Sequence, residues 1–275
     1  VEGLPQGKAL DLMESSPIEE FQAKITGTND YSETKDSDIV VITAGMARKP
    51  GMSRDDLQKI NAGIISDVVK NISSLSPEAI IIVVTNPLDI MSYLALKVSG
   101  FPSNRVIGMA GILDSSRYRY FVSEKLGVPT EQIQTMVLGG HGDTMVPLRR
   151  YSIVNEKPIT EFLKKEEIDS INERTRKGGA EIVKLLKTGS AYYAPSAAVV
   201  QMIKNIFSDI HNVLPCCAYL NGEYGLKDIY FGVPVKLSRG GVKEIIELNL
   251  NKEEKEELQK SAKAVKEGIE QLNIC

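Results

Sequence analysis

The sequence has few cysteines and no long hydrophobic run, and these shortages exclude several classes of protein. Its 275 residues include three cysteines, of which Cys216 and Cys217 are adjacent and Cys275 is terminal. Adjacent cysteines rarely pair, and no C-x-x-C spacing occurs, so we expect reduced thiols, a cytoplasmic location and no metal site. The longest purely apolar run, residues 79–84, is far too short to span a bilayer, which argues against a membrane protein.

The charges show no dominant sign. Lysine and arginine number 33 and the acidic residues 36, for a formal net charge of −3. Because this balance provides no broad basic field, we expect no nucleic-acid partner. Hydrophobic residues make up 42% of the chain and charged residues 25%, which is typical of a globular protein with one large or two closely associated domains.

The first half of the chain alternates strand-like and helix-like segments. Continuous apolar segments at 38–45 and 80–84 suit parallel strands that are buried on both faces, and a third strand is predicted at 106–109. A long helix is expected after a capping-box pattern at 53–56, and a second helix at 88–98. Strands that alternate with helices predict a parallel sheet with crossover helices.

The second half mixes shorter strands with helices. We predict strands at 151–154, 230–237 and 242–250, and helices at 111–126, 172–186, 196–210 and from Asn251 to the end. Asn251 and Glu254 form a capping-box pattern at the start of the last helix. At the start of the chain, a helix at 9–14 and a short strand at 24–26 are predicted. The fold class is therefore α/β followed by α+β, with domains at 1–112 and 113–275.

One of only two histidines lies in an unusual stretch. His141 follows the apolar run 133–138 and has glycines on both sides. A histidine is more often a core or capping residue, but glycines remove bulk where packing would need it, which favours a proton carrier. Asp114 is a candidate for the carboxylate that orients it. His211 follows a predicted helix end, where a cation suits the helix dipole, and we interpret it as structural.

Three arginines and one asparagine form a second group. Arg48 lies in a loop just past the carboxyl end of a predicted strand, where open α/β sheets bind ligands. Arg54 opens the next helix, where a cation opposes the dipole, and Arg117 lies one helical turn after Asp114. Together these arginines could hold a substrate with two carboxylates. Asn86, which precedes a proline, either ends its strand as a simple turn or holds a carbonyl or hydroxyl group; both interpretations stay open.

Four motifs in this order resemble one family. The segments 41–57 (VITAGMARKPGMSRDDL), 84–89 (VTNPLD), 113–117 (LDSSR) and 139–143 (GGHGD) resemble those of NAD-dependent malate dehydrogenases, in the branch similar to lactate dehydrogenase. The resemblance runs from Val1 to the final helix. It implies a Rossmann-type sheet followed by an α+β substrate domain, NAD as cofactor, malate and oxaloacetate as substrates, and a homodimer or homotetramer.

The resemblance also implies a role for each candidate residue. His141 would take the proton from the malate hydroxyl group, with Asp114 as its orienting carboxylate. The substrate-binding residues would be Arg48, Arg54, Asn86 and Arg117. The cofactor-binding residues would be Thr43, Ala44, Gly45, Asn61, Val84, Thr85 and Asn86.

Arg48 distinguishes the two substrate classes of this superfamily. The resemblance implies arginine at this position in malate-specific members and glutamine in lactate-specific members. A second substrate carboxylate needs a cation, since burial beside a neutral amide would cost several kcal/mol. The sequence therefore favours malate over lactate, with lactate dehydrogenase as the alternative.

The beginning of the chain departs from the family pattern. Members start with a strand, a G-x-G-x-x-G turn, a helix and a second strand, whereas residues 1–3 here correspond to the segment after these elements. We therefore expect an incomplete Rossmann-type sheet. This leaves a further alternative, a non-catalytic remnant whose NAD site is incomplete.

Overall fold

The computed structural model describes residues 1–46, 53–208 and 212–272, without the side chain of Arg54. The helices are α1 (Leu4–Glu14), α2 (Ser16–Glu19), α3 (Arg54–Leu75), α4 (Leu88–Ser99), α5 (Gly111–Leu126), α6 (Lys165–Leu186), α7 (Tyr193–Phe207) and α8 (Lys252–Glu270). The strands are β1 (Ile39–Ile42), β2 (Ile80–Val83), β3 (Val106–Gly108), β4 (Ile133–Gln134), β5 (Val137–Leu138), β6 (Val146–Pro147), β7 (Ile153–Val154), β8 (Lys157–Pro158), β9 (Val213–Asn221), β10 (Lys227–Ser238) and β11 (Gly241–Ile245).

A mixed six-stranded sheet in the order β1-β2-β3-β9-β10-β11 forms the centre of the molecule. The first three strands are parallel, with Ile39 opposite Ile80 and Val83 opposite Gly108. The last three strands come from the second half of the chain and run antiparallel. The Rossmann-type α/β fold predicted from the sequence is confirmed, and strands of the second half extend the same sheet.

The sheet is buried because each of its faces meets its own hydrophobic layer. In β2, Ile81 and Val83 join a cluster with residues of α3 and α4, while Ile80 and Ile82 join a second cluster with residues of α7, α8, β9 and β10. All four residues of β2 are buried. Helices on both faces explain why this strand is continuously apolar instead of alternating.

Two capping boxes fix the starts of long helices, as the sequence predicted. The Ser53 hydroxyl accepts the Asp56 backbone N–H at 3.0 Å, and the Asp56 carboxylate accepts the Ser53 N–H at 3.3 Å. The Asn251 side chain accepts the Glu254 N–H at 2.9 Å, and the Glu254 carboxylate accepts the Asn251 N–H at 2.8 Å. Each reciprocal pair satisfies two backbone donors at a helix start.

Several predicted elements differ from the observed ones. Residues 24–26 form no strand and pair with no other segment of the described chain. The strand predicted at 242–250 ends at Ile245, and helices α1, α6 and α7 begin earlier than predicted. Strand β9, which lies in the middle of the sheet, was not predicted.

The remaining strands form two small antiparallel sheets, β4-β7-β8 and β5-β6. The three-stranded sheet packs against α5 and α6 in a third cluster that contains Tyr118, Phe121 and Ile168. Within residues 1–46, 53–208 and 212–272, no helix combines the length and the apolar character needed to cross a bilayer.

Candidate active site

The segment that carries His141 runs from β5 across the centre of the molecule. Gly139 and Gly232 of β10 exchange two backbone hydrogen bonds, with the Gly139 N–H donating at 2.9 Å and the Gly232 N–H at 3.2 Å. The next residue, Gly140, donates its N–H to the Ser261 hydroxyl of α8 at 2.9 Å. These bonds fix the backbone immediately before His141.

Close packing explains two of the three glycines around His141. A Cβ at Gly139, whose φ is 95°, would lie 2.9 Å from the Ser261 hydroxyl. A Cβ at Gly140 would lie 2.6 Å from a methyl group of Val265. Only Gly142, with a φ of 110°, has open space where a side chain would be. Contact with α8 therefore requires two of these glycines, and the sequence interpretation that they clear space around the imidazole applies only to Gly142.

The structure brings His141, Asp114 and Arg117 together. The imidazole Nδ1 lies 2.9 Å from Asp114 Oδ2, and Arg117 Nη1 lies 3.5 Å from Asp114 Oδ1. The Asp114 side chain is 2% exposed, whereas those of His141 and Arg117 are each 14% exposed. The imidazole Nε2 has no hydrogen-bond partner among the described residues, so the second ring nitrogen is available to a ligand.

The electrostatics of this group favour a protonated imidazole. Burial disfavours the charged ring, but the carboxylate of Asp114, and after it that of Asp89, outweighs burial and Arg117, so the pKa of His141 lies above its ordinary value. Burial lowers the pKa of Arg117, while Asp114 acts in the opposite direction. The arrangement can therefore take up, hold and release one proton beside a partly buried cation.

Helix α6 leaves room for Arg117. A Cβ at Gly178 would lie 3.2 Å from Arg117 Cδ, and a Cβ at Gly179 would lie 3.6 Å from its Nη2. The Arg117 Nε is buried without a hydrogen-bond partner among the described residues. A buried guanidinium with an unused donor fits an anionic ligand, since carboxylates pair with this group in a bidentate geometry.

The carboxyl ends of β1 and β2 form the edge where the sequence places the cofactor. Thr43 and Gly45 are exposed and Ala44 is half-buried, and a Cβ at Gly45 would lie 2.6 Å from a methyl group of Thr85. The Thr85 hydroxyl donates to the Ala44 carbonyl at 2.6 Å. Such an edge of small residues lets a flat ligand approach the backbone, so these residues fit a dinucleotide.

Asn61 supports this edge through its buried side-chain amide. Its Oδ1 accepts the Met46 N–H at 2.7 Å, and its Nδ2 donates to the carbonyls of Met46 at 3.2 Å and Asn86 at 2.7 Å. Asn61 therefore connects the end of β1 to the end of β2, while its contact with a cofactor stays a prediction. Val84 is half-buried just after β2 and packs against the cluster that contains Ile80 and Ile82.

The other predicted site residues are only partly described. The Asn86 side chain is exposed, and the Asn86–Pro87 peptide bond is cis. Arg48 lies outside the described residues, as does the side chain of Arg54, whose backbone begins α3. His211, which we interpreted as structural, also lies outside them.

Asp89 and Ser261 also belong to this site, although neither was predicted from the sequence. Asp89 is 4% exposed and its carboxylate accepts the His141 N–H at 2.8 Å, while Ser261 is 2% exposed and binds the preceding residue. An aspartate in the first turn of a helix and a serine within a helix are both ordinary, so their types gave no signal. Within the described ranges, no cluster of three or more potential metal ligands occurs.

Family models match both halves of the chain. The model described as the lactate/malate dehydrogenase NAD binding domain matches residues 1–108, and that of the lactate/malate dehydrogenase alpha/beta C-terminal domain matches residues 112–273. A malate dehydrogenase of Roseiflexus sp. (strain RS-1) is 60% identical over 272 residues, which are 99% of this chain and 88% of that protein.

Solved structures are similar over almost the whole chain. The malate dehydrogenase of Salinibacter ruber is 49% identical with a TM-score of 0.94, and the match covers 99% of this chain and 87% of that one. The lactate dehydrogenase of Cryptosporidium parvum, solved with lactic acid and nicotinamide adenine dinucleotide, is 40% identical with a TM-score of 0.96, covering 100% and 89%. Both substrate classes therefore occur among the structures similar to this chain.

Proposed function

Because the chain belongs to the lactate/malate dehydrogenase family, we propose that it catalyses the reversible, NAD-dependent oxidation of (S)-malate to oxaloacetate. The observation that carries this function is the contact of His141 with Asp114 beside Arg117. It joins a proton carrier, a buried carboxylate and a cation that fits a substrate carboxylate. Malate dehydrogenases among the relatives, at 60% identity, support the choice of substrate.

His141 is the general base in malate oxidation and the general acid in oxaloacetate reduction. Its Nε2 takes the proton of the C2 hydroxyl, because Nδ1 is directed at Asp114. The carboxylate of Asp114 fixes the ring orientation and stabilises the imidazolium that forms. In the reverse direction the same proton returns to the carbonyl oxygen, so the O–H bond that breaks in one direction forms in the other.

NAD, when bound, accepts the hydride that leaves malate C2. We assign its contacts to Thr43, Ala44, Gly45, Val84 and Thr85 at the carboxyl ends of the parallel strands. We assign further contacts to Asn61 and Asn86. The exposure of Thr43 and Gly45 supports this assignment, since ligands of open α/β sheets bind at this edge.

The arginines hold the substrate and select it. We propose that Arg117 binds the C1 carboxylate, Arg54 polarises the reacting carbonyl group, and Asn86 contacts the substrate beside them. Arg48 would bind the second carboxylate, which lactate lacks. A buried carboxylate without a cationic partner costs several kcal/mol, so this one residue can decide between the two acids.

The experiment that tests this function compares two keto acids. NADH consumption, followed by its absorbance, should be fast with oxaloacetate and slow with pyruvate. Arg48→Gln should weaken oxaloacetate reduction and favour pyruvate, because it removes the cation that only the dicarboxylate needs. Lys59→Gln, a change of charge on the exposed face of α3, is the control and should leave the preference unaltered.

Each outcome decides between the candidate functions. A wild-type preference for pyruvate would identify a lactate dehydrogenase, and an unchanged preference in Arg48→Gln would remove Arg48 from the specificity assignment. Calorimetric titration with NAD tests the cofactor assignment, and absence of saturable binding would refute it.

We also propose that the protein is a homodimer or homotetramer. Large hydrophobic side chains are exposed on and between α6 and α7, namely Leu185, Leu186, Tyr192, Tyr193, Val200 and Phe207. Several large apolar side chains exposed on neighbouring segments of the chain are typical of an interface. Sedimentation velocity should give a mass of two or four chains, and a monomer at micromolar concentration would contradict the proposal.

Two further assignments concern organisation and location. We propose a cofactor domain at 1–112 and a substrate domain at 113–275, which limited proteolysis near the boundary would test. We propose a cytoplasmic location, because Cys216 and Cys217 are buried free thiols, as expected in a reducing compartment. Fractionation of cells that produce the protein would test the location.

A further inference from the structure

We propose that Asp89 is a positioning residue for His141, holding its backbone from α4 and adding a second negative charge that stabilises the imidazolium. This role rests on the proposed function, in which His141 carries the proton. Asp89 makes no assigned contact with substrate or cofactor. It acts through His141.

The geometry places His141 between carboxylates from two helices. Asp89 Oδ2 accepts the backbone N–H of His141 at 2.8 Å, while Asp114 Oδ2 lies 2.9 Å from the ring Nδ1. Asp89 is 4% exposed and stands in the first turn of α4, which begins directly after Pro87. One carboxylate thus fixes the main chain of His141 and the other fixes its ring.

The second oxygen of Asp89 is also occupied. The thiol of Cys217, which is fully buried on β9, donates to Asp89 Oδ1 at 3.2 Å. Burial, followed by the nearby Asp89, raises the pKa of Cys217 well above its ordinary value, so this thiol keeps the proton that it donates. Two donors directed at two oxygens suit an ionised carboxylate, which has only acceptors.

The charge of Asp89 needs a partner because the site is buried. The pKa of Asp89 lies above its ordinary value, because burial outweighs the His141 N–H, the imidazolium charge and the Cys217 thiol, which all act to lower it. Among the described residues, the other titratable groups that face this cluster are Asp114 and Arg117 on α5, Cys216 on β9 and Tyr230 on β10. When malate oxidation leaves a proton on His141, the new cation lies beside Asp89 and both buried charges are compensated.

The test uses Asp89→Asn and a direct measurement of the His141 titration. Asparagine can still accept the His141 N–H through its side-chain oxygen, so the contact is kept and the charge is removed. The sequence has two histidines, so ¹⁵N-histidine NMR spectra of the free protein show two imidazoles, assigned with His211→Gln. The pKa of His141 should fall by about one unit in Asp89→Asn, and by more in Asp114→Asn, which also loses the ring hydrogen bond.

Two variants control for general disturbance of the fold. Asp67→Asn, a matched change at an exposed position of α3, should leave the pKa of His141 at the wild-type value. Cys217→Ser alters the same buried cluster but keeps the Asp89 carboxylate, so the pKa of His141 should again stay unchanged. In the kinetics, Asp89→Asn should move the pH midpoint of kcat/KM downwards with little change in substrate KM.

An identical His141 pKa in Asp89→Asn and wild type would overturn the proposal. If that variant does not fold, the wild-type protein supplies the answer, because ¹³C NMR of the Asp89 carboxyl group reports its ionisation. A carboxylate that is ionised at pH 7 supports the proposal, and a protonated one refutes it. These titrations need no substrate, so failure to reduce oxaloacetate would refute the proposed function without altering them.

Discussion

Replacement of Asp114 by asparagine tests the centre of the site. The side chain is 2% exposed, so the isosteric amide keeps the packing while removing a charge. That charge lies 2.9 Å from His141 Nδ1 and 3.5 Å from Arg117 Nη1. The substitution therefore changes the proton carrier and the anion-binding cation together.

The size of the effect follows from these contacts. An opposite charge at this distance raises the pKa of a basic group by about 1–3 units, so the pKa of His141 should fall by about two units in Asp114→Asn. A fall of two pKa units lowers the protonated fraction of His141 about 100-fold at a pH above both pKa values. This corresponds to about 2.7 kcal/mol in the free energy of protonation. If the amide N–H₂ faces Nδ1, the neutral ring carries its proton on Nε2 and cannot accept one from malate. We therefore expect kcat to fall by about 10²- to 10⁴-fold.

The assay measures kcat and KM for oxaloacetate reduction between about pH 5 and pH 9. The pKa of His141 is raised above 6.5, and reduction requires the imidazolium, so the wild-type rate falls as the pH rises through that raised value. In Asp114→Asn the fall should occur at lower pH. Asp169→Asn, at an exposed position on α6, is the control and should behave as wild type. An unchanged midpoint with kcat within about threefold of wild type would refute the reasoning.

Three further changes test the supports of the site. Gly178→Ala should raise the KM for oxaloacetate severalfold, because its Cβ would lie 3.2 Å from Arg117 Cδ and displace the guanidinium. The stability of the fold should not fall, since helix propensity favours alanine over glycine by about 1 kcal/mol. A lower melting temperature with unchanged KM would contradict both expectations. Ser261→Ala should cost about 1–3 kcal/mol in denaturant unfolding, since it leaves the buried Gly140 N–H without its acceptor; a loss below about 0.3 kcal/mol would mean that another acceptor replaces it. The raised pKa of His141 should make wild type more stable to unfolding than His141→Gln. This difference should be complete below pH 6.5 and disappear as the pH rises through the raised pKa. A difference in thermal unfolding that grows with pH would contradict the prediction.

Local patterns in the sequence predicted much of the first half and the starts of α3 and α8. The capping boxes at Ser53 and Asn251 are formed as expected, and Leu258, Ala262 and Val265 are the buried stripe of α8. These features depend on residues within one or two helical turns of each other. Neighbouring residues in the sequence therefore determine these features, and the sequence alone predicts them.

Strand β9 could not be recognised in the same way. Its residues 214–218 are all buried, so it shows no alternation of polar and apolar residues, and it contains Pro215. Its partners are β3 and β10, and β3 lies about a hundred residues earlier in the chain. Only the assembled sheet, in which β9 pairs antiparallel with β3 at the end of the parallel strands, identifies this segment.

The site likewise contains residues that local sequence patterns predict and residues that only distant segments explain. The spacing of Asp114 and Arg117 places them on one face of α5, and the sequence revealed this because it is local. Asp89 gave no such signal, since an aspartate at the start of a helix is ordinarily a solvated group that complements the dipole. Asp89 is buried because β9, a strand that was not predicted, places Cys217 against it.

The position of the proton carrier thus depends on parts of the chain that are remote in sequence. Asp89 of α4 and Ser261 of α8 hold the backbone at His141 and Gly140, and Asp114 of α5 holds the ring. Positions 139 and 140 require glycine because α8 and β10 approach the backbone there. The glycines of the segment 139–143 therefore reflect packing as well as the chemistry of His141. A substitution in α8 that shifts this backbone by a few tenths of an ångström would move the imidazole relative to the substrate. We therefore expect such changes to reduce kcat without contacting either reactant.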